Sequence, residues 1–388
     1  MARKYRYISA DSHFECPPDQ WTHRVPKEYR DRAPRRIKLS DGKDAIISEG
    51  RPITYGGTSW VGGRSPEEFN PTRIDYDGTP GCGTPEQRLL EQDKDGIDAE
   101  VLFALGIRQP SVRDKNARLA IVQGFNDYMA EEYCAIAPDR LIGVGVLPDC
   151  GAEEDIAEME RCARLGLKAV CLEAFPSGQR YPIPQDDKFW AAAVDMNMPI
   201  TIHTSFHHHV QGRDVYQLKY PIELEGEERP PTDFVQRLAR QGIYHCGALE
   251  AVQLILSGVF DRFPKLRIYW AENNLGWIPY YYEQMDQEYQ TNRHWAERLL
   301  GLKPLSRLPS EYLREHAYWG FIEDSIGVRL RHEIGVGRVM WSTDFPHIVS
   351  RWPNSLKVME SQMAGVPEEE KYQMVAGNAI EFFHLGSG

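Results

Sequence analysis

Ile8-Ser9-Ala10-Asp11-Ser12-His13-Phe14-Glu15 is the stretch from which the rest of this 388-residue chain is read. It closes a short apolar run, Tyr5 to Ala10, that reads as a buried strand. Successive side chains of a strand point to opposite faces, so Asp11, His13 and Glu15 share one face. Two carboxylates and an imidazole at the end of a buried strand make a poor core, because burying unpaired charge is costly. They are well suited to holding a divalent cation. An Asp-x-His pair also arises by chance, so its weight depends on what the other strands offer.

Working outward, the residues after this strand, about 16–80, are rich in Pro, Gly and Asp and read as a long irregular insertion. Trp21, Tyr55, Trp60 and Phe69 give it material to pack, which predicts an ordered cover over a site rather than disorder. A regular alternation follows. Thr84-Pro85-Glu86 has an N-cap and a proline at the first helical position, and this helix ends near Gly96. Apolar runs at Ala99–Leu105, Leu141–Leu147, Lys168–Ala174, Pro199–Thr204, Leu266–Trp270, Ala317–Ile322 and Arg338–Ser342 predict seven more strands. Helical patterns lie between them, such as Leu119, Val122, Phe125, Met129 and Tyr133 at spacings of three and four. Helices are also predicted over Asp187–Asn197, Gly247–Phe263, Leu275–Tyr289, Asp324–His332 and Glu368–Phe383, with residues 296–315 as a connection. A second polar insertion, about 205–244, contains His207, His208 and His209.

Strands that are near-continuously apolar are buried on both faces. Eight of them alternating with helices predict an α/β fold, a (β/α)₈ barrel, over a single domain of residues 1–388 with insertions after the first and fifth strands. A doubly wound open sheet is the structural alternative, weakened because no Gly-x-Gly-x-x-Gly follows the first strand.

Composition narrows the function. The net charge is −12 with no basic block, which argues against nucleic acid and anionic membranes as partners. No apolar run approaches a membrane span, and the N-terminus lacks the apolar core of a secretory signal. The seven cysteines are scattered without Cys-x-x-Cys, as in reduced cytoplasmic proteins. A small-molecule substrate is the expected partner.

Barrel chemistry sits at the C-terminal ends of strands. Asp11, His13 and Glu15 close the first strand, Glu173 the fourth, His203 the fifth, Glu272 and Asn273 the sixth, and Asp344 the eighth with His347 just beyond. Taken singly, His203 reads as a hydrogen-bonded core histidine and Asp344, before Phe345-Pro346, as a turn cap. His207, His208 and His209 read as surface or substrate-facing groups. Together, polar residues ending so many apolar strands are hard to explain as packing.

Asp-Ser-His-Phe-Glu at the first strand, Ile-Thr-Ile-His-Thr at the fifth, Ser-Gly-Val-Phe-Asp-Arg-Phe-Pro-Lys-Leu-Arg before the sixth and Trp-Ser-Thr-Asp-Phe-Pro-His at the eighth resemble the amidohydrolase superfamily. More narrowly, they are similar to its branch related to aminocarboxymuconate-semialdehyde decarboxylase, over about residues 5–384. The resemblance implies a barrel whose metal is bound by Asp11, His13, His203 and Asp344. It also implies hydrolysis or non-oxidative decarboxylation of an organic acid or acyl substrate, usually with zinc or manganese. Two departures stand out: Glu272 or Asn273 occupies the place of a usual sixth-strand histidine, and Lys168 lies at the wrong end of its strand to become a bridging carbamate, for which Glu173 is better placed.

The expected chemistry is a metal-activated water, with Glu272 or Asp344 moving the proton and His347 polarising the substrate. Glu15 and Glu272 are further candidate ligands. The carboxylate-rich set also suits iron. The alternative is therefore a non-haem di-iron oxygenase acting on a large lipophilic acyl thioester such as a terpenoid CoA ester, with Trp60, Tyr216 and Tyr220 walling the pocket. A third reading is a catalytically silent binding protein. The aromatic cluster Trp277, Tyr280, Tyr281 and Tyr282, with the family's habit, predicts a homodimer.

Overall fold

The computed structural model describes residues 3–386 apart from 41, 43, 50, 55–62, 64, 66, 68–75, 105–111 and 207–246. Within them, β1 (Ile8–His13) is followed by three short strands, β2 (Arg35–Lys38), β3 (Asp44–Ser48) and β4 (Arg51–Thr54). The remaining strands are β5 (Ala99–Phe103), β6 (Leu141–Val146), β7 (Ala169–Leu172), β8 (Ile200–His203), β9 (Ile268–Ala271), β10 (Ala317–Phe321) and β11 (Val339–Trp341). All pairings in the main sheet are parallel, in the order β1-β5-β6-β7-β8-β9-β10-β11, with helices in the connections. This is the (β/α)₈ barrel expected from the strand count.

The ends of that order, β1 and β11, meet across a seam of scattered bonds. Asp344 N–H donates to Asp11 O at 2.9 Å and His13 N–H to Phe345 O at 2.8 Å. Thr343 N–H donates to Ser9 Oγ at 2.8 Å, and the hydroxyls of Ser9, Ser12 and Thr343 lie 2.9–3.1 Å apart. The barrel is thus nearly closed, through polar side chains and the chain just past β11.

Alternation along each strand sorts the core into two layers. Ile8, Ala10, Ala99, Val101, Phe103, Ile142, Val144, Tyr269, Ala271, Tyr318 and Met340 form one buried cluster. Leu102, Val170, Leu172, Ile200, Ile202, Trp270, Trp319 and Trp341, their neighbours in the strands, pack into the other with helix residues such as Phe125, Met159, Trp190 and Leu254. The first cluster fills the barrel and the second lies between strands and helices.

The first helix, α1 (Pro85–Asp95), starts as its sequence predicts. Thr84 Oγ1 accepts from Gln87 N–H at 3.4 Å, and Gly96 closes it with a φ of 77° that a glycine adopts without a Cβ clash. Three expectations need correction. Residues 16–80 are not wholly irregular: β2, β3 and β4 form an antiparallel sheet. Residues 296–315 are not a plain connection, because the helix Ile278–Leu300 runs into them and a second helix spans Pro309–His316. A helix at Ser355–Gln362 was not anticipated. The insertion at 205–244, except for Ser205 and Phe206, lies outside the described residues. Among the described residues no helix is long and apolar enough to cross a membrane.

Gly320 shows how tightly the barrel is filled. A Cβ there would fall 2.4 Å from the Tyr269 hydroxyl and 3.1 Å from the Ala271 Cα. Gly320→Ala is expected to lower unfolding free energy by about 1–3 kcal/mol, read from the midpoint of a urea melt. An unchanged midpoint would mean that the ring of Tyr269 is free to move aside.

Candidate metal centre

Asp11 and His13 reach the mouth of the barrel by a device that simple alternation does not show. Ile8 and Ala10 belong to the barrel interior, so an unbroken strand would turn Asp11 and His13 outward. The β1–β5 register instead slips by one residue between Ser9 and Ser12. Such a bulge re-aims the residues after it, and Asp11 and His13 then face His203 from the end of β8 and Asp344 from the turn after β11. One ligand atom from each of these four lies within 4.8 Å of the others, and all four residues are buried. His13 Nε2 is 2.8 Å from Asp344 Oδ1 and 3.6 Å from Asp11 Oδ1. His203 Nε2 is 3.4 Å from Asp11 Oδ2.

These contacts bring charges together without aligned hydrogen bonds. Both oxygens of Asp11 and of Asp344, both ring nitrogens of His13 and Nε2 of His203 lack a hydrogen-bond partner. Buried polar atoms are nearly always satisfied, and two unsatisfied carboxylates in one site repel each other. A divalent cation could take one ring nitrogen from each histidine and offset the repulsion between the carboxylates, and two carboxylates with two imidazoles are a donor set for manganese, zinc or iron. The residues therefore fit a metal ion.

A second group adjoins the first. The His347 ring stacks on that of His13 with centroids 3.7 Å apart. Its Nε2 is 3.0 Å from Glu15 Oε1 and its Nδ1 is 3.1 Å from Asp344 Oδ1. Burial opposes the charged form of His347, but Asp344 and Glu15 outweigh it and push the imidazole well above its ordinary range. Burial and the neighbouring His347 push His13 down. Burial alone would raise Asp344, yet His347 and His13 hold it well below the usual carboxylate range. Glu272 Oε2 sits 3.5 Å from His203 Nε2. Burial and the charge of Asp344 push Glu272 up to about 8, although 29% of its side chain is exposed.

The backbone pays locally for this convergence. Thr204, Glu272 and Asp344 all have φ near +55°, a left-handed conformation disfavoured for residues with a Cβ and found at functional sites. Asn273 holds two of these turns: its Nδ2 donates to Thr204 O at 3.1 Å and Ala271 O at 2.8 Å, and its Oδ1 accepts from Gly247 N–H. The sequence left Glu272 and Asn273 as alternatives, and the geometry separates them. Asn273 is committed to backbone, and Glu272 stands beside the centre.

Not every candidate joins the four. Glu15 groups with His13 and His347 rather than with Asp11 and His203, and Glu272 touches the set only through His203. Glu173, half-buried just past β7, belongs to neither group. Lys168 precedes β7, at the far end of that strand from the centre. Trp60, Tyr216, Tyr220 and His207, His208 and His209 lie outside the described residues. Sequence reasoning missed the buried pair Arg88 and Glu100; its one visible signal was a glutamate inside the apolar run Ala99–Phe103.

The Amidohydro_2 model, described as amidohydrolase, matches residues 11–385. A 2-amino-3-carboxymuconate-6-semialdehyde decarboxylase from Dictyostelium discoideum is 24% identical over 307 residues, covering 78% of this chain and 77% of that protein. A gamma-resorcylate decarboxylase from a Rhizobium species is 26% identical over 290 residues, covering 71% and 82%. Among solved structures, a 5-carboxyvanillate decarboxylase from Novosphingobium aromaticivorans, with bound manganese and 3-methoxy-4-hydroxy-5-nitrobenzoic acid, superposes with a TM-score of 0.63 at 19% identity, covering 98% of this chain and 97% of that one.

Asp344→Ala removes one ligand and one of two repelling carboxylates. It is expected to abolish tight Mn²⁺ uptake in a calorimetric titration and, because His13 and His347 lose the carboxylate beside them, to lower the heat stability of the metal-free protein without loss of fold. Unchanged Mn²⁺ binding would remove Asp344 from the ligand set.

Proposed function

Because the chain belongs to the amidohydrolase family, we propose that it is a metal-dependent enzyme that decarboxylates an aromatic acid without an oxidant. The observation that carries this reading is the buried Asp11, His13, His203, Asp344 set with its unsatisfied ligand atoms. The decarboxylase names of the relatives support decarboxylation over hydrolysis and lend nothing to an iron oxygenase acting on an acyl thioester. Manganese is the first ion to test, given the manganese in the 5-carboxyvanillate decarboxylase.

Asp11, His13, His203 and Asp344 would hold the ion, which when bound supplies Lewis acidity toward substrate oxygens. The chain's own groups handle the rest. In decarboxylation the bond from ring carbon to carboxylate breaks, its electrons remain on the carbon, and a proton forms the new C–H bond. Glu272 would deliver that proton, a role supported by its position beside His203 and its partial exposure. His347, kept cationic by Asp344 and Glu15, offers positive charge to an anionic substrate. We also propose a homodimer, supported by the exposed Tyr280, Trp295, Leu299 and Leu300 along the helix Ile278–Leu300. Sedimentation as a monomer at micromolar concentration would remove that proposal.

The test is a panel of hydroxylated aromatic acids with the Mn²⁺-loaded protein in D₂O. One CO₂ should be released per turnover, with deuterium at the vacated ring carbon. Glu272→Gln is expected to lower kcat by about 10²- to 10⁴-fold, the usual contribution of a general acid, with Mn²⁺ stoichiometry unchanged. Product formed without CO₂, or with consumption of O₂, would overturn the reading.

A further inference from the structure

Directly behind the four ligands lies a charged pair that the reaction does not use. Arg88, on α1, and Glu100, on β5, are both buried, 1% and 2% exposed. Arg88 Nε donates to Glu100 Oε2 at 2.7 Å and Nη2 to Glu100 Oε1 at 3.2 Å, a two-pronged contact. Two further donors go to backbone. Nη1 donates to His13 O at 3.2 Å and Nη2 also to Phe345 O at 3.1 Å, while the guanidinium lies 4.5 Å over the Phe345 ring. Glu100 in turn accepts from Ser12 Oγ at 3.0 Å and from Gln92 Nε2 at 2.8 Å.

The residues so gripped are Ser12, His13 and Phe345. Ser12 lies between the ligands Asp11 and His13, and Phe345 follows the ligand Asp344. The pair therefore holds both sides of the β1–β11 seam, at His13 itself and at Ser12 and Phe345, the chain neighbours of Asp11 and Asp344. Stability alone is a weak reason for it. A buried ion pair loses in desolvation much of what it gains in attraction, and apolar replacements of similar volume are often neutral or better. Packing alone would not require a planar fork, yet the fork is what reaches Glu100 and two carbonyls at once.

We infer that Arg88 and Glu100 are positioning residues of the metal centre. They fix the spacing of the His13 and Phe345 carbonyls, and through them the approach of His13 to Asp344. The inference rests on the metal-centre reading above and assigns the pair no contact with substrate or ion.

The test is the affinity for Mn²⁺, measured by calorimetry on folded protein well below its unfolding temperature. Three variants are compared: Arg88→Met combined with Glu100→Leu, which refills the space without charge; Arg88→Lys, which keeps the charge without the fork; and Glu100→Gln. The double variant is expected to keep an unfolding temperature close to that of the wild type while binding Mn²⁺ about 10- to 100-fold more weakly, as when partners behind metal ligands are lost. Arg88→Lys is expected to fold and to show a smaller loss. Wild-type affinity in any folded variant would overturn the inference, and so would failure of all three to fold, which would mark the pair as purely structural. If the wild-type protein itself takes up no divalent ion, the metal-centre reading fails first; tight wild-type binding with unaffected variants sinks only the positioning role.

Discussion

The whole arrangement depends on how a cylinder of parallel strands closes at a seam that is polar. Between β1 and β11 the structure sets three hydroxyls, two backbone bonds from the turn after β11, and a buried arginine–glutamate pair, where neighbouring strands elsewhere form ladders. The seam is also where three of the four converging ligands originate. An unbroken β1–β5 ladder would leave Asp11 and His13 on the wrong face. The bulge that turns them inward shifts that register by one residue. Across the seam to β11, side chains then meet backbone groups: Ser9 Oγ donates to Asp11 O and accepts from Thr343 N–H, and Arg88 donates to His13 O and Phe345 O. The polarity of the seam follows from the demand for ligands there.

Most of the barrel was legible because burial on both faces leaves a continuous apolar run, and helices between the runs carry their own periodicity and caps. Thr84, Pro85 and Gly96 bounded α1 from sequence alone. The less legible elements are those whose form is set by tertiary contact. Arg35-Arg36-Ile37-Lys38 has no strand pattern, yet it pairs with Asp44–Ser48, where Asp44 is wholly buried under Arg36 and Lys38. The helix Ile278–Leu300 runs on through a segment whose apolar residues Trp295, Leu299 and Leu300 are exposed rather than set on a buried stripe, so its end was drawn too early.

The candidate site was legible in kind, because carboxylates and histidines ending apolar strands have few other uses. Which of them meet was not. The residues Asp11, His13 and Glu15 are spaced for one face, but the chain after His13 leaves the strand, and Glu15 pairs with His347 rather than facing Asp11 and His203. Asn273 and Glu272 are adjacent and equally polar; only the backbone turns they occupy give one to the scaffold and the other to the mouth. Arg88 carried no signal, since an arginine on an amphipathic helix ordinarily points to water.

Glu272 lies beside His203, and His347 lies against His13 and Asp344, and the two respond to the site differently. Burial disfavours charge on both. For Glu272 the nearby carboxylate of Asp344 adds to burial, and its proton is held up to about 8. For His347 the carboxylates of Asp344 and Glu15 oppose burial and win. In each case the excess negative charge of the site retains a proton. A proton donor is most effective when its pKa lies near the working pH. The carboxylates that fit an ion thus also favour a proton on Glu272 and on His347, and under the proposed decarboxylation these two would serve as the acid that delivers a proton and the cation that meets an anionic substrate.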